Sequence, residues 1–159
     1  MTVALDVTIQ IEQPFATLDP ARIKAALQTT VEAAGRPAPS AESVAVVITD
    51  SETVQALNRQ FRGVEAPTDV LSFENSADPD FPGEAAHLGD IIIAYPIAEA
   101  QALAGGHETV DEIILLAVHG LLHLLGFDHD TPENKNDMWT RQQEIMARLD
   151  LAHVQPTES

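Results

Sequence analysis

Hydrophobic and polar residues alternate at the start of the chain, and the pattern then changes to helical spacing. The strict alternation predicts a strand over residues 3–11 with one buried face. Apolar positions that recur after an Asp-Pro start signal predict a helix over about 20–34. A continuous β-branched run then predicts a buried strand from residue 44 to near Asp50. The chain therefore begins with a strand, a helix and a second strand.

The middle of the chain consists of short elements separated by glycine and proline. A short helix is predicted from Ser51 until Gly63, which stops it. A Pro-Thr-Asp turn leads into a short strand over 70–73. An acidic loop over 74–87, without a basic residue, precedes a fourth strand over 88–95. A loop of this length in a small domain is usually functional or mobile.

The last third of the chain is predicted to be helical. Pro96 begins a short helix that ends at Gly105. Residues 109–125 are apolar on nearly every side, which is typical of a central, fully packed helix. Thr131 caps a final amphipathic helix. We expect residues 152–159 to be a frayed tail.

Composition indicates a single soluble globular domain over residues 1–159. The 159 residues are 45% hydrophobic and 21% charged, and no apolar run is long enough to cross a membrane. The N-terminus shows no signal-peptide pattern, so we expect a cytoplasmic protein. The chain contains no cysteine, which excludes disulfides and thiolate metal sites. Histidine and carboxylate side chains are therefore the candidate metal ligands.

The net charge of the chain is strongly negative. Lys and Arg total 8 against 25 Asp and Glu, which gives a formal charge of -17 at pH 7. Such a chain repels polyanions on average and has no general affinity for phosphate backbones. Any nucleic-acid function must therefore depend on a local patch.

Three histidines at metal-ligand spacing lie at the end of the predicted central helix. His119 and His123 are four residues apart and therefore share one helix face. Gly126 allows a turn that brings His129 back over the other two. Three neutral imidazoles on a tetrahedral ion leave one position open for water, whose pKa a catalytic zinc lowers to about 7. We therefore predict a divalent metal, preferably Zn²⁺, at these three residues.

The alternative is that these histidines are polar residues that happen to fall in an apolar helix and its cap. Three imidazoles would be poorly satisfied in such surroundings without a shared partner, so we favour metal binding. Metzincin proteases have the same ligand spacing, but a glutamate follows their first histidine and acts as the general base. Gly120 stands at that position here, which argues against peptide hydrolysis.

The segment with the three histidines reads His119-Gly120-x-x-His123-Leu124-x-Gly126-x-Asp128-His129. Several other characteristic segments precede it along the chain. The upstream segments are Leu57-Asn58, Phe61-Arg62-Gly63, Pro67-Thr68-Asp69-Val70-Leu71-Ser72-Phe73 and Leu88-Gly89-Asp90-Ile91. Together they resemble the signature of the YbeY family of bacterial metal-dependent endoribonucleases. The resemblance covers about residues 44–150, and the first forty residues match only in their order of strand and helix.

The resemblance implies a fold and an activity. The implied fold is one α/β (α+β) domain with a small mixed four-stranded sheet, about five helices and two of the metal ligands on the central helix. The implied activity is that of a zinc-dependent, single-strand-specific endoribonuclease in late-stage ribosome quality control and maturation of the 3′ end of 16S rRNA. The expected partners are small-subunit rRNA and the ribosome or its proteins, and neither DNA nor a membrane.

Arg62 occupies the position of the family's functionally important arginine. The resemblance implies that its guanidinium holds the phosphate and stabilises charge on the phosphate oxygens. The alternative is an ordinary cation at a helix C-terminus.

Two other functions stay open on the sequence, because the histidine string contains no obvious general base. One is a ribosome-associated assembly factor whose metal is mainly structural. The other is a zinc hydrolase of a non-nucleic substrate, which the acidic charge would suit.

Overall fold

The strand and helix patterns of the sequence form one domain. The computed structural model describes residues 5–12, 18–33, 42–66, 68–74, 86–127 and 130–155. Within these residues the elements are β1 (Leu5–Ile11), α1 (Pro20–Ala33), β2 (Glu42–Thr49), α2 (Ser51–Arg62), β3 (Val70–Glu74), β4 (Ala86–Ala94), α3 (Tyr95–Gly105), α4 (Thr109–Leu124) and α5 (Pro132–Arg148). The predicted fold class, an α+β domain with four strands and five helices, is confirmed.

Strands β2 and β4 both begin two residues before their predicted starts, and β4 shows the reason. This strand begins at Ala86, because Ala86 and His87 pair with Glu42 and Ser43 of β2. β3 likewise extends to Glu74. Strand ends are set by the partner strand, which local composition does not reveal. Residues 74, 86 and 87 of the predicted acidic loop therefore belong to strands, and residues 75–85 lie outside the described residues.

The four strands form a mixed sheet in the order β1-β2-β4-β3. β1, β2 and β4 are parallel, and β3 pairs with β4 in the antiparallel direction. Side chains alternate between the two faces of each strand. Ile91 and Ile93 therefore pack with α1, α4 and α5 in the main core, whereas Ile92 packs with α2 on the opposite face. β3 is the edge strand next to the open side of the sheet.

Helix α4 lies at the centre of the main core. Its buried apolar residues point in every direction around the helix and include Ile113, Ile114, Leu121 and Leu122. A helix that is apolar on all sides needs neighbours on all sides, and α1, α3, α5, β3 and β4 supply them. Neither α4 nor another helix in the described part of the chain is long and apolar enough to cross a bilayer.

Gly120 allows α4 to lie directly on the sheet. A Cβ atom at this position would lie 2.9 Å from Ile91 Cγ2 and 3.1 Å from Ser72 Oγ, both closer than normal contacts. The Ser72 hydroxyl donates a hydrogen bond of 3.3 Å to the Gly120 carbonyl oxygen. The missing side chain thus sets the distance between α4 and strands β3 and β4.

The packing of the C-terminal segment against the core continues further along the chain than the sequence predicts. Val154 is buried in the main core, together with Leu151. The Leu151 amide donates to the Met146 carbonyl oxygen at 2.8 Å, which turns the chain back after α5. Ordered packing therefore continues at least to Val154, beyond the start of the tail expected at 152–159, and residues 156–159 lie outside the described residues.

A buried polar pair fixes the start of α4. His107 Nε2 and Glu112 Oε1 are 2.6 Å apart, and their side chains are only 3% and 1% exposed. A histidine in the short connection before a helix is ordinarily solvated, but the His107 side chain is buried. A glutamate in the first turn of a buried helix needs a partner, and His107 lies just before that turn.

Burial dominates the ionisation of Glu112. Desolvation raises the pKa of this carboxyl above its usual value, and the nearby charge of Asp69 raises it further. The hydrogen bond and charge of His107 oppose this shift without cancelling it. The folded protein therefore binds the Glu112 proton more tightly than the unfolded chain does.

This raised pKa predicts how stability depends on pH. A carboxyl whose pKa is higher in the folded state stabilises the fold at low pH and loses that contribution as pH rises through and above the unfolded value of 4.5. The relevant quantity is the difference in the free energy of unfolding, parent minus Glu112→Gln. This difference should decrease as the pH rises from about 4.5 to neutral. Urea titrations over this range measure the difference. The exposed Glu99→Gln variant is the control, and its difference from the parent should show no such fall; equal profiles for the two variants would contradict the prediction.

Candidate metal centre

Two of the three predicted ligands lie next to each other on α4. His119 and His123 are one turn apart, and their ring centroids are 4.8 Å apart with the ring planes at 82°. Both residues are half-buried, whereas nearly every other residue of this part of α4 is buried. The expected arrangement of two imidazoles on one helix face is therefore present.

Helix α5 holds the ring of His119 in one orientation. His119 Nδ1 lies 2.8 Å from Gln142 Oε1, and Gln142 is itself buried. An amide oxygen can only accept a hydrogen bond, so Nδ1 must carry the proton. The neutral ring then has its lone pair on Nε2. Trp139, one turn before Gln142, packs against the same ring with its centroid at 5.2 Å.

This arrangement fits a transition-metal ligand. Histidines that bind metal usually donate their second ring N–H to an oxygen acceptor, which fixes the tautomer and makes the other nitrogen more basic. No pattern in the sequence marks Gln142 or Trp139 as part of the site. Both residues lie on α5 and His119 lies on α4. Their contacts with the His119 ring therefore depend on how the two helices pack.

The third predicted ligand cannot be placed in the same way. Gly126 follows α4 with a φ of 100°, a conformation that favours glycine, so the predicted turn is present. The Phe127 amide donates to the Leu122 carbonyl oxygen at 3.0 Å, and the Phe127 side chain is buried. Asp128 and His129 lie outside the described residues. Among the residues that are described, no group of three or more His, Asp or Glu side chains could hold a metal.

Arg62 lies at the end of α2 and reaches the open edge of the sheet. Its Nη2 donates to the Ser72 carbonyl oxygen at 2.9 Å. In antiparallel pairs, alternate residues turn their backbone groups away from the partner strand. Because the Asp69 oxygen accepts from the Ala94 amide, the alternation puts the Ser72 carbonyl on the open side of β3. The guanidinium carbon also lies 5.8 Å from the centre of the Phe73 ring, within cation–π distance.

Ser72 links the two parts of the candidate site. Its carbonyl oxygen accepts from Arg62, and its hydroxyl donates to Gly120, the residue between the two histidines and next to His119. The arginine and the histidine-bearing helix are therefore both attached to one residue of the edge strand. Arg62 does lie in the last turn of α2, as the alternative interpretation stated, but it is also held against β3.

Comparison with known proteins identifies the family. A family model described as Endoribonuclease YbeY matches residues 8–150. A protein named Endoribonuclease YbeY from Roseiflexus sp. (strain RS-1) is 41% identical over 155 residues, which cover 92% of this chain and 94% of that protein. Another of the same name, from Geobacillus kaustophilus, is 43% identical over 122 residues, which cover 71% of this chain and 76% of that protein.

A solved structure supports the fold. The solution structure of a protein from Thermotoga maritima superimposes with a TM-score of 0.54 at 24% sequence identity, and the match covers 96% of this chain and 99% of that one. At this identity the likeness concerns the fold alone. Because the family model spans nearly the whole sequence and both named relatives exceed 40% identity, the chain belongs to the YbeY endoribonuclease family.

Proposed function

We propose that this chain is a zinc-dependent, single-strand-specific endoribonuclease that acts in late-stage ribosome quality control and in maturation of the 3′ end of 16S rRNA. The ion is held by His119, His123 and His129. Family membership supports the endonuclease chemistry, since the relatives carry the name endoribonuclease. When bound, the ion supplies a Lewis acid at the scissile phosphodiester.

One observation carries the proposal, namely the hydrogen bond between His119 Nδ1 and Gln142 Oε1. It leaves Nε2 of a half-buried imidazole with a lone pair, and the His123 ring lies beside it. A structural histidine would also need a partner for this nitrogen, so the bond supports a metal ligand together with the second imidazole beside the ring. The donor chemistry of the two rings therefore suits Zn²⁺, which prefers imidazole nitrogen.

Arg62 orients the substrate in this proposal. A guanidinium has five N–H donors, and the contact with the Ser72 carbonyl uses one of them. That contact and the Phe73 ring hold the planar group at the edge of β3. The remaining donors can form a fork on a phosphate, which places the phosphodiester and stabilises the charge that develops on its oxygens.

The first prediction concerns the metal ligands. His119→Ala and His123→Ala should each lose most of the bound zinc, because two imidazoles hold the ion much less tightly than three. The exposed His153→Ala variant is the matched control and should keep the zinc content of the parent. Elemental analysis after dialysis measures the ratio of metal to chain. Full zinc content in His123→Ala would refute the assignment.

The second prediction concerns Gln142. Gln142→Met keeps the volume of the side chain but removes the acceptor of the His119 ring proton, so zinc affinity should fall about 10- to 100-fold. Competition with a fluorescent zinc chelator measures the affinity. Gln143→Met, at the adjacent exposed position of α5, is the control and should bind zinc as the parent does. Equal affinities for all three proteins would show that the hydrogen bond does not tune the ligand.

The third prediction concerns Arg62. Arg62→Ala should cleave single-stranded RNA at least about a hundredfold more slowly while its zinc content is unchanged, because the guanidinium acts on the phosphate and not on the ion. Arg62→Lys should recover only part of the rate, since an ammonium cannot form the planar fork. Arg148→Ala, at the end of α5, is the control for a lost surface cation.

Two results would count against the proposed function. An Arg62→Ala protein that is as active as the parent would remove the arginine from the mechanism. A parent that binds rRNA and zinc but does not cleave would favour the assembly factor with a structural metal.

A further inference from the structure

The C-terminal turn of α2 exposes a large aromatic side chain next to Arg62. Phe61 is 61% exposed, which is unusual for a ring of this size. Exposing such a ring forgoes the stabilisation that burial would give. The ring is therefore available to a ligand.

The position of Phe61 on α2 explains why it is not buried. Val54 is buried and Leu57 is half-buried on the face that packs against the sheet, and Phe61 continues this apolar stripe by one more turn. At that turn the helix lies against the edge strand β3, where Phe61 contacts Phe73. The stripe thus leaves the core at the point where Arg62 reaches the Ser72 carbonyl.

The exposed ring is nevertheless held in place. Phe61 and Phe73 form an edge-to-face pair with centroids 5.4 Å apart and an angle of 63° between the planes. Phe73 in turn lies under the Arg62 guanidinium. A ring fixed in this way loses little conformational entropy when a ligand binds.

The charges around the ring are suitable for RNA. Arg59 and Arg62 lie in the last turn of α2, on either side of Phe61 in the sequence, in a chain with 8 basic residues in total. Among the residues that the structure describes, Arg59 forms an ion pair with Glu65 at 3.7 Å, and both side chains are well exposed. Exposed pairs of this kind are weak and readily exchanged for another anion.

We propose that Phe61 is a stacking platform for an unpaired nucleobase of the RNA, next to the phosphate that Arg62 holds. The inference rests on the proposed RNA substrate and adds a base-binding subsite to it. Unpaired bases stack on aromatic side chains, and the contact tolerates any base because each has a π-face. Bases in a duplex are already stacked, so the platform selects single strands.

An apolar partner protein fits this surface less well. Stable protein interfaces need several hundred square ångströms on each partner, with an apolar centre. Phe61 is bordered by two arginines, the exposed apolar side chain that follows it is the small Val64, and Leu103 belongs to α3. A nucleotide has one base beside one phosphate, and these two groups match one aromatic ring beside one guanidinium.

The test measures binding of the full chain to a fluorescent single-stranded RNA by anisotropy, at low salt and in EDTA so that metal-dependent cleavage cannot consume the RNA. Phe61→Ala should bind about tenfold more weakly than the parent. Phe61→Trp should bind at least as tightly as the parent, because it keeps an aromatic face. Leu103→Ala removes another exposed apolar side chain, 84% exposed on α3, and should bind as the parent does.

A second arm distinguishes stacking from an indirect effect on Arg62. The parent should bind an RNA with abasic spacers in place of its bases about tenfold more weakly than it binds the normal RNA. Phe61→Ala should bind the normal and the abasic RNA with nearly equal affinity. If Phe61→Ala weakens normal and abasic RNA equally, the ring supports Arg62 rather than a base, and the proposal is overturned.

The remaining outcomes are also decisive. Unchanged RNA affinity in Phe61→Ala, or no RNA binding by the parent, overturns the base-binding subsite, and the first of these would point to a protein partner. Phe61-dependent binding without cleavage after zinc is restored would leave the subsite in place and refute the proposed nuclease function.

Discussion

The close packing of α4 on strands β3 and β4 is the constraint on which the rest of the structure depends. A side chain at position 120 would collide with Ile91 and Ser72, so only glycine lets the helix backbone lie at this distance. His119 precedes this contact and His123 lies one turn beyond it, so the contact fixes the position of both rings relative to the sheet. Ser72 also accepts the hydrogen bond from Arg62, so the same contact connects the arginine to the helix.

Buried polar groups fix what apolar packing alone would leave free. Apolar contacts have no directional preference, whereas a buried hydrogen bond is lost completely when its partners separate. The Glu112 pair with His107 secures the start of α4, and the Gln142 bond to His119 secures its end against α5. The raised pKa of Glu112 shows that the first of these anchors carries a desolvation penalty.

The sequence predicts the elements and the histidine face because both depend on local periodicity. A spacing of four residues places His119 and His123 on one helix face whatever the tertiary structure is. Gln142 could not be predicted as their partner, because its contact depends on how α4 and α5 pack. The start of β4 depends on the register with β2, and the exposure of Phe61 depends on how the end of α2 lies against the edge strand β3. These three features depend on tertiary contacts, which no local sequence pattern predicts.

The acidic composition and the proposed substrate are compatible if affinity does not depend on charge alone. A net charge of -17 repels every nucleic acid over the range of the Debye length, about 8–10 Å at ordinary salt. A duplex offers mainly phosphates and therefore meets this repulsion without compensation. A single strand also offers neutral bases, whose stacking on an aromatic ring is not weakened by the field of the protein. In the proposed function, the negative surface contributes to specificity, because it disfavours nucleic acid that cannot present an unpaired base beside a phosphate at Arg62.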